Sequence, residues 1–266
     1  MIWCAVVMVA ALDLPVHEAG NFGLINVRST HGHLGPTRSE DKLAPGDTLG
    51  LTFDVQGIMV DQDGKVHYSI GEEVTDKAGQ TIFKQDPQKA EGTVSLGGNR
   101  IPAYAELRLG LNQAPGDFVL KVTVTDTTSG KSQTLTRPFT VLPKGLAVVN
   151  LRTTADQDGI LPIGAPVVGQ PLWLSFGVVG FARDKTTGQP SVQVESCVLD
   201  ENGKPTCRML STTVDKGVPS TLVGLPIQKL VSPNRPGQFT ADLRVKDNLT
   251  GQTARLAFPF KVIEVK

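Results

Sequence analysis

The chain has no net charge, only four histidines and three cysteines in 266 residues, and no apolar run long enough to cross a bilayer. Each shortage excludes something. Twenty-six basic side chains balance twenty-six acidic ones, so no long-range field gathers nucleic acid or anionic lipid. The longest apolar run, residues 2–12, is about half the ~20 residues of a membrane-spanning helix. Four histidines leave little for general-base work. The sequence also has no phosphate-cradling GxxxxGK[ST], no GxSxG elbow and no HExxH. No enzyme activity and no cofactor are therefore expected. No second Cys or His pair accompanies Cys197 and Cys207 to complete a zinc site. No segment of real length carries apolar residues at helical spacing, so the fold is expected to be all-β.

What is abundant fits that expectation. Twenty-eight glycines and eighteen prolines, with frequent Val and Thr, suit short strands joined by tight turns. Residues 1–20 stand apart. The run 2–12, with small residues at Val9-Ala10-Ala11 near a possible cleavage point, has the length of a secretory signal's hydrophobic part, although no Lys or Arg precedes it. The alternative is a buried first strand. Export is the expectation taken here, with a periplasmic, cell-surface or extracellular destination.

The rest of the chain is written twice. "PGDFVLKVTVTDTTSG" (115–130) returns as "PGQFTADLRVKDNLTG" (236–251), with six of sixteen positions identical. "INVRST" (25–30) answers "VNLRTT" (149–154), and "GDTLGLTFDVQG" (46–57) answers "GQPLWLSFGVVG" (169–180). "EVTDKAGQ" (73–80) and "TLTRPFTV" (134–141) likewise answer "CVLDENGK" (197–204) and "RLAFPFKV" (255–262). Offsets stay between 121 and 124, which marks a tandem duplication with units at 24–143 and 147–266. Units of this size can each bury a core of their own. The joint, Pro143-Lys144-Gly145, is short.

Inside each unit the apolar period is two. Phe118, Leu120, Val122 and Val124 point one way, and Val119, Lys121, Thr123 and Thr125 the other. The copy keeps the phase through Phe239, Ala241, Leu243 and Val245. One apolar and one wetter face indicate antiparallel sheets packed on one side, and turn signals at roughly ten-residue intervals indicate β-sandwiches. The outward phase is rich in Thr, Lys and Arg. That argues against an exposed apolar strand edge of the kind strand-capturing chaperones need.

A "PGxFxxxVxVxD" strand followed by a Gly-containing turn and a "PFxV" strand resembles the last hairpin of bacterial immunoglobulin-like or fibronectin-III-like modules. The resemblance covers most of the chain twice and implies architecture, two tandem antiparallel sandwiches, and no particular role. Two departures stand out. The inter-sheet disulfide of antibody-type domains is absent, and Phe118 and Phe239 occupy places where many relatives carry Tyr.

Three residues are candidates for a site. Cys197 and Cys207 flank "VLDENGKPT", where Asp200 to Lys204 suit a hairpin loop with Gly203 in a left-handed conformation. That register sets the two cysteines opposite each other, within disulfide reach, while the first unit has Glu73 and Phe83 at the matching places. Free or metal-binding thiols are the other reading. Trp173 lies on the outward phase where the first unit has Gly50. It is available to stack on a sugar or anchor a partner, or else is covered by the N-terminal segment or the other unit. "HGH" at 31–33, with His17 or His67, reads as loop rather than metal site. "DQDGK" (61–65) and "ADQDG" (155–159) read as turns, lacking the full carboxylate set of a calcium loop. Asn248-Leu249-Thr250 fits a glycosylation sequon. Asp126 and Asp247 recur at the end of one strand, as turn caps rather than catalytic acids.

These features describe an exported, non-enzymatic binding, adhesion or structural protein, with a protein or surface polysaccharide as partner. The rival reading is a carbohydrate-active enzyme accessory or carbohydrate-binding protein.

Overall fold

The computed structural model describes residues 21–33 and 35–264. The signal-like run and Cys4 lie outside them. Among the described residues there is no helix, and therefore none long and apolar enough to cross a membrane.

Eight strands precede residue 142: β1 (Gly23–Thr30), β2 (Lys42–Leu43), β3 (Thr48–Gln56), β4 (Lys65–Asp76), β5 (Thr81–Thr93), β6 (Arg100–Arg108), β7 (Gly116–Asp126) and β8 (Ser132–Val141). They form an antiparallel sheet ordered β1-β3-β6 and a second ordered β2-β8-β7-β4-β5, in which β2 alone runs parallel to its neighbour. Seven more follow: β9 (Ala147–Thr154), β10 (Leu172–Val179), β11 (Val192–Leu199), β12 (Leu210–Val214), β13 (Gly224–Val231), β14 (Gly237–Asp247) and β15 (Thr253–Val262). Their sheets run β13-β10-β9 and β12-β11-β14-β15, the order of the first set again. Even β2 has an echo, an isolated parallel bridge between Val167 and Ile263.

The sequence explains the pattern strand by strand. Along β7, Phe118, Leu120, Val122 and Val124 are buried while Val119, Lys121, Thr123 and Thr125 are only half-buried. Gly116 and Gly237 open β7 and β14 at φ of 152° and 141°, a backbone conformation strained for any residue with a Cβ, which is why both copies read "PG". Two hydrophobic clusters result. One runs from Leu43 to Val141, and the other from Leu151 to Val262. Each draws on both sheets of its half, and fully burying a Leu or Phe contributes about 1.5–3 kcal/mol. The separate clusters are what a duplicated unit requires.

The units touch through a repeated irregularity. Asn26 and Asn150 both sit at φ 54°, beside register shifts in β1 and β9. Asn tolerates the left-handed region at such bulges. Asn26 donates to the Asp54 carboxylate of its own unit at 2.7 Å. Asn150 instead reaches into the first unit: its N–H donates to Asp47 at 2.8 Å and its side chain donates to the Gly46 carbonyl at 2.8 Å. It also accepts from the Thr48 hydroxyl at 2.6 Å. Asp47 is in turn held at 2.9 Å by Arg38, both side chains nearly sealed from solvent. His31 adds an edge-on contact to Phe258 of the second cluster, with ring centroids 5.7 Å apart. One bulge thus braces its own sheet in the first copy and the junction in the second.

Candidate functional site

Each unit is open on the same side, between the last strands of its facing sheets. In the first unit the opening lies between β5 and β6 and is a broad hollow of about 1170 Å³, lined by Ile82, Phe83, Leu107, Phe118 and Phe139. In the second it lies between β12 and β13 and narrows to about 360 Å³, lined by Cys197, Cys207, Leu210, Lys229, Phe239 and Phe260 among others. The floor is the same in both. Phe118 stacks on Phe139 with centroids 5.6 Å apart, and Phe239 on Phe260 at 5.7 Å. Phe118 and Phe239 stand where a Tyr was the alternative, and the four rings leave the floor apolar.

The walls differ, and the differences are chemical. In the first unit the inward position opposite Val122 is Glu72, a buried carboxyl whose pKa burial pushes up. The matching position in the second unit, opposite Leu243, is Ser196, which lines the cleft. Where the first unit has buried Ala105 opposite Leu51, the second has Lys229 opposite Leu174. Lys229 therefore points between the sheets, and its ammonium reaches only the Thr212 hydroxyl, at 3.4 Å. Arg235 lies over the Phe239 ring, 4.7 Å from its centroid. The residues lining this cleft include no carboxylate, whereas Asp76, Asp117 and Glu106 line the hollow of the first unit. The second cleft is thus an apolar slot with two cationic side chains.

Of the residues singled out by sequence, the cysteines border the cleft, on the phase opposite to Ser196, and the tryptophan does not. Asp200 caps its turn by accepting from Asn202 and Lys204, and Gly203 has φ 74°. Leu199 bridges Pro205 and Thr206 bonds to Val198, so the register sets Cys197 across from Cys207. Both are free thiols here, Cys197 buried and Cys207 exposed. Burial first, then the nearby Asp242 carboxylate, pushes the Cys197 thiol above its ordinary pKa and keeps it protonated. The match drawn with the first unit needs correction: irregularities in the β4–β5 register pair Phe83 with Val74, and Glu73 with Lys84.

Trp173 is half-buried on the outer face of its sheet, paired across strands with Thr154 and with Leu230, which is 49% exposed. The first unit has no room for it. A Cβ on Gly50 would lie 2.9 Å from the Tyr104 hydroxyl, and Gln228 replaces Tyr104 in the copy. His31 and His33 part company, His31 against Phe258 and His33 edge-on to Tyr104. Asp61 and Asp156 accept from backbone N–H groups of their own turns.

Lys229, Arg235, Ser196 and Leu210 line the cleft without belonging to any motif in the sequence. For Lys229 the signal was present in "GLPIQKLV" (224–231), where Leu225, Ile227 and Val231 share the inward phase with a lysine. The edge strand β12 has Ser and Thr along its middle but carries one exposed leucine. Leu210 faces inward opposite Ser196 yet is 58% exposed, because β12 is five residues long and begins there.

No protein-family model matches the chain, and no curated protein matches it. Among solved structures, the chain is similar to latent PorU from Porphyromonas gingivalis, at 14% identity and a TM-score of 0.34, covering 92% of this chain and 20% of that one. It is similar to red sea bream transglutaminase at 11% identity and a TM-score of 0.27, covering 92% and 32%. It is similar to the C-terminal domain of the Streptococcus pyogenes antigen I/II-family protein AspA at 9% identity and a TM-score of 0.31, covering 88% and 98%. The chain thus spans a fifth of the PorU chain and about a third of the transglutaminase.

Proposed function

We propose that this is an exported, non-enzymatic binding protein built from two immunoglobulin-like sandwiches, residues 24–143 and 147–266, whose second sandwich carries the binding site. One observation supports it above the rest. Where the copies agree they agree in core and turn residues, and the second cleft alone combines an apolar floor with Lys229 and Arg235 and no lining carboxylate. A site for catalysis would instead gather acids and bases. The partner on this reading is a surface protein, bound in adhesion or in a structural assembly.

The competing carbohydrate reading rests on Trp173 beside the exposed Leu230, an apolar platform of the kind sugar rings stack on. A glycan array and a surface-protein capture, run side by side on the full chain, separate the two. Protein capture that survives Trp173→Ala is the expected result. Glycan binding that Trp173→Ala abolishes overturns it.

Export further implies that Cys197 and Cys207 are joined in the mature protein, since their register places them across a hairpin. Oxidation is expected to stabilise the second unit by up to about 2.5–3 kcal/mol in the chain-entropy account. Thiol labelling of protein recovered from the medium or periplasm, without reductant, checks this. Neither cysteine should label, and ready labelling of both would remove the bridge and weaken the export reading with it.

A further inference from the structure

The strand edges of this protein are guarded, with one exception. Among the described residues, β1 and β9 carry Arg28 and Arg152. The exposed β5 carries Lys84, Asp86, Pro87, Lys89 and Glu91, β13 carries Pro226 and Lys229, and β15 carries Arg255, Pro259 and Lys261. β6 has Arg100 and Pro102, and the two-residue β2 has Lys42. Charge and proline on an edge discourage another strand from pairing there. β12, "LSTTV", has neither. Its free side borders the cleft, and it is short, pairing only with the 192–196 half of β11, whereas β5 accompanies β4 for almost its whole length.

We infer that β12 accepts an extended segment of a partner protein as an additional strand, with alternate apolar side chains entering the cleft and one inward carboxylate meeting Lys229. Backbone pairing along β12 would supply affinity, and the inward phase would supply selectivity. Leu210 already lies on that phase with more than half its surface uncovered, above a floor of Phe239, Leu243 and Phe260. The charge argument fixes the chemistry. Lys229 and Arg235 have no carboxylate partner among the described residues, and the place where the first unit keeps Glu72 holds only Ser196. A carboxylate on the incoming strand supplies between the sheets an acid that the second unit does not have at that position. A second copy of this chain is a poorer occupant, because its own β12 would bring no acid to the two cations.

The proposal deepens the binding reading above, yet the two fail separately: surface-protein capture can persist when every strand peptide fails. The probe is a fluorescent peptide, acetyl-Thr-Val-Thr-Glu-Thr-Val-Thr-amide, titrated into the full chain and followed by anisotropy and amide exchange. Binding with new protection at residues 210–214 is expected. Affinity should fall at least about tenfold when the peptide's Glu becomes Lys, the scale of one lost charged hydrogen bond. A similar or larger fall is expected when alternate peptide nitrogens are methylated, which removes backbone donors and keeps the side chains. In Lys229→Ala, whose position is only half-buried, the Glu peptide should lose most of its advantage over the Lys peptide. Equal affinity for the methylated and unmethylated peptides, protection elsewhere, or no binding overturns the proposal. A dimer that protects β12 without peptide overturns it in favour of self-pairing.

Discussion

Replacing Asp126 or Asp247 with alanine is expected to cost about 3–5 kcal/mol of stability in the affected unit, far more than a surface turn residue would. Both carboxylates are fully buried at the ends of β7 and β14. Asp126 accepts from the backbone N–H groups of Thr128 and Ser129 and the Ser129 hydroxyl, at 2.9, 3.2 and 2.7 Å. It also accepts from the Met59 N–H at 3.0 Å, across the unit in the segment that follows β3. Asp247 repeats the arrangement with Leu249, Thr250 and the Ala182 N–H, the last at 2.9 Å. Each aspartate therefore closes its own turn and ties down the segment leaving β3 or β10. Burial alone would raise their pKa values, but the convergent donors outweigh it and hold both below the usual carboxylate range.

Alanine removes all those acceptors at once and leaves several buried N–H groups unpaired, each costing about 1–3 kcal/mol. Asparagine keeps one acceptor oxygen and should lose about half as much. Urea unfolding, read through amide exchange in β7 and β14 separately, measures it. A loss below about 1 kcal/mol would show that the loops hold without the carboxylate and would reopen a chemical role for these acids.

These aspartates show how much the sequence disclosed. Their recurrence at one offset gave their place, and the backbone donors around them could be expected from the turns. The reach to Met59 and Ala182 could not, because it depends on how two segments far apart in sequence fold over one strand end. The same division holds elsewhere. The alternation along 115–126 and 236–247 predicted the buried faces residue by residue, since a strand's period is local. The facing of Cys197 and Cys207 was legible from the turn between them. The cleft was not legible, because it forms between β12 and β13, whose sequences diverge most from their counterparts. Leu210 there is a core-phase residue left uncovered by a short strand, and Lys229 is a charge on an inward position. Both break the rule that made the rest readable, and local rules are expected to break at a functional site. The double use of Asn26 and Asn150 is a further case. The sequence repeats the residue, while only the packing decides that one braces a sheet and the other a junction.

The junction supplies the second large effect, a dependence of stability on pH carried by His31. Its ring is buried against Phe258, and its Nδ1 has no hydrogen-bond partner. Burial, and then the positive charge of Arg38, lower its pKa from 6.5 to about 3. The unfolded chain takes up a proton on this ring as pH falls through 6.5, while the folded chain refuses it until about 3. The unfolded state therefore binds more protons across that window, and stability falls with pH by up to about 1.4 kcal/mol per unit. The loss through this one ring reaches about 2 kcal/mol at pH 5 and about 4 kcal/mol near pH 3.5. His31→Gln removes the titration and keeps a polar side chain of similar reach. The difference in unfolding free energy between the chain and this variant should be nearly flat above pH 7. Below pH 6 it should move steadily in the variant's favour. Asp126 and Asp247, with lowered pKa values, also lose their stabilising contribution as pH falls, but they do so in both proteins and cancel in the difference. Parallel curves from pH 7 to pH 4 would mean that His31 charges as easily in the junction as in water, and that the contact with Phe258 opens without cost.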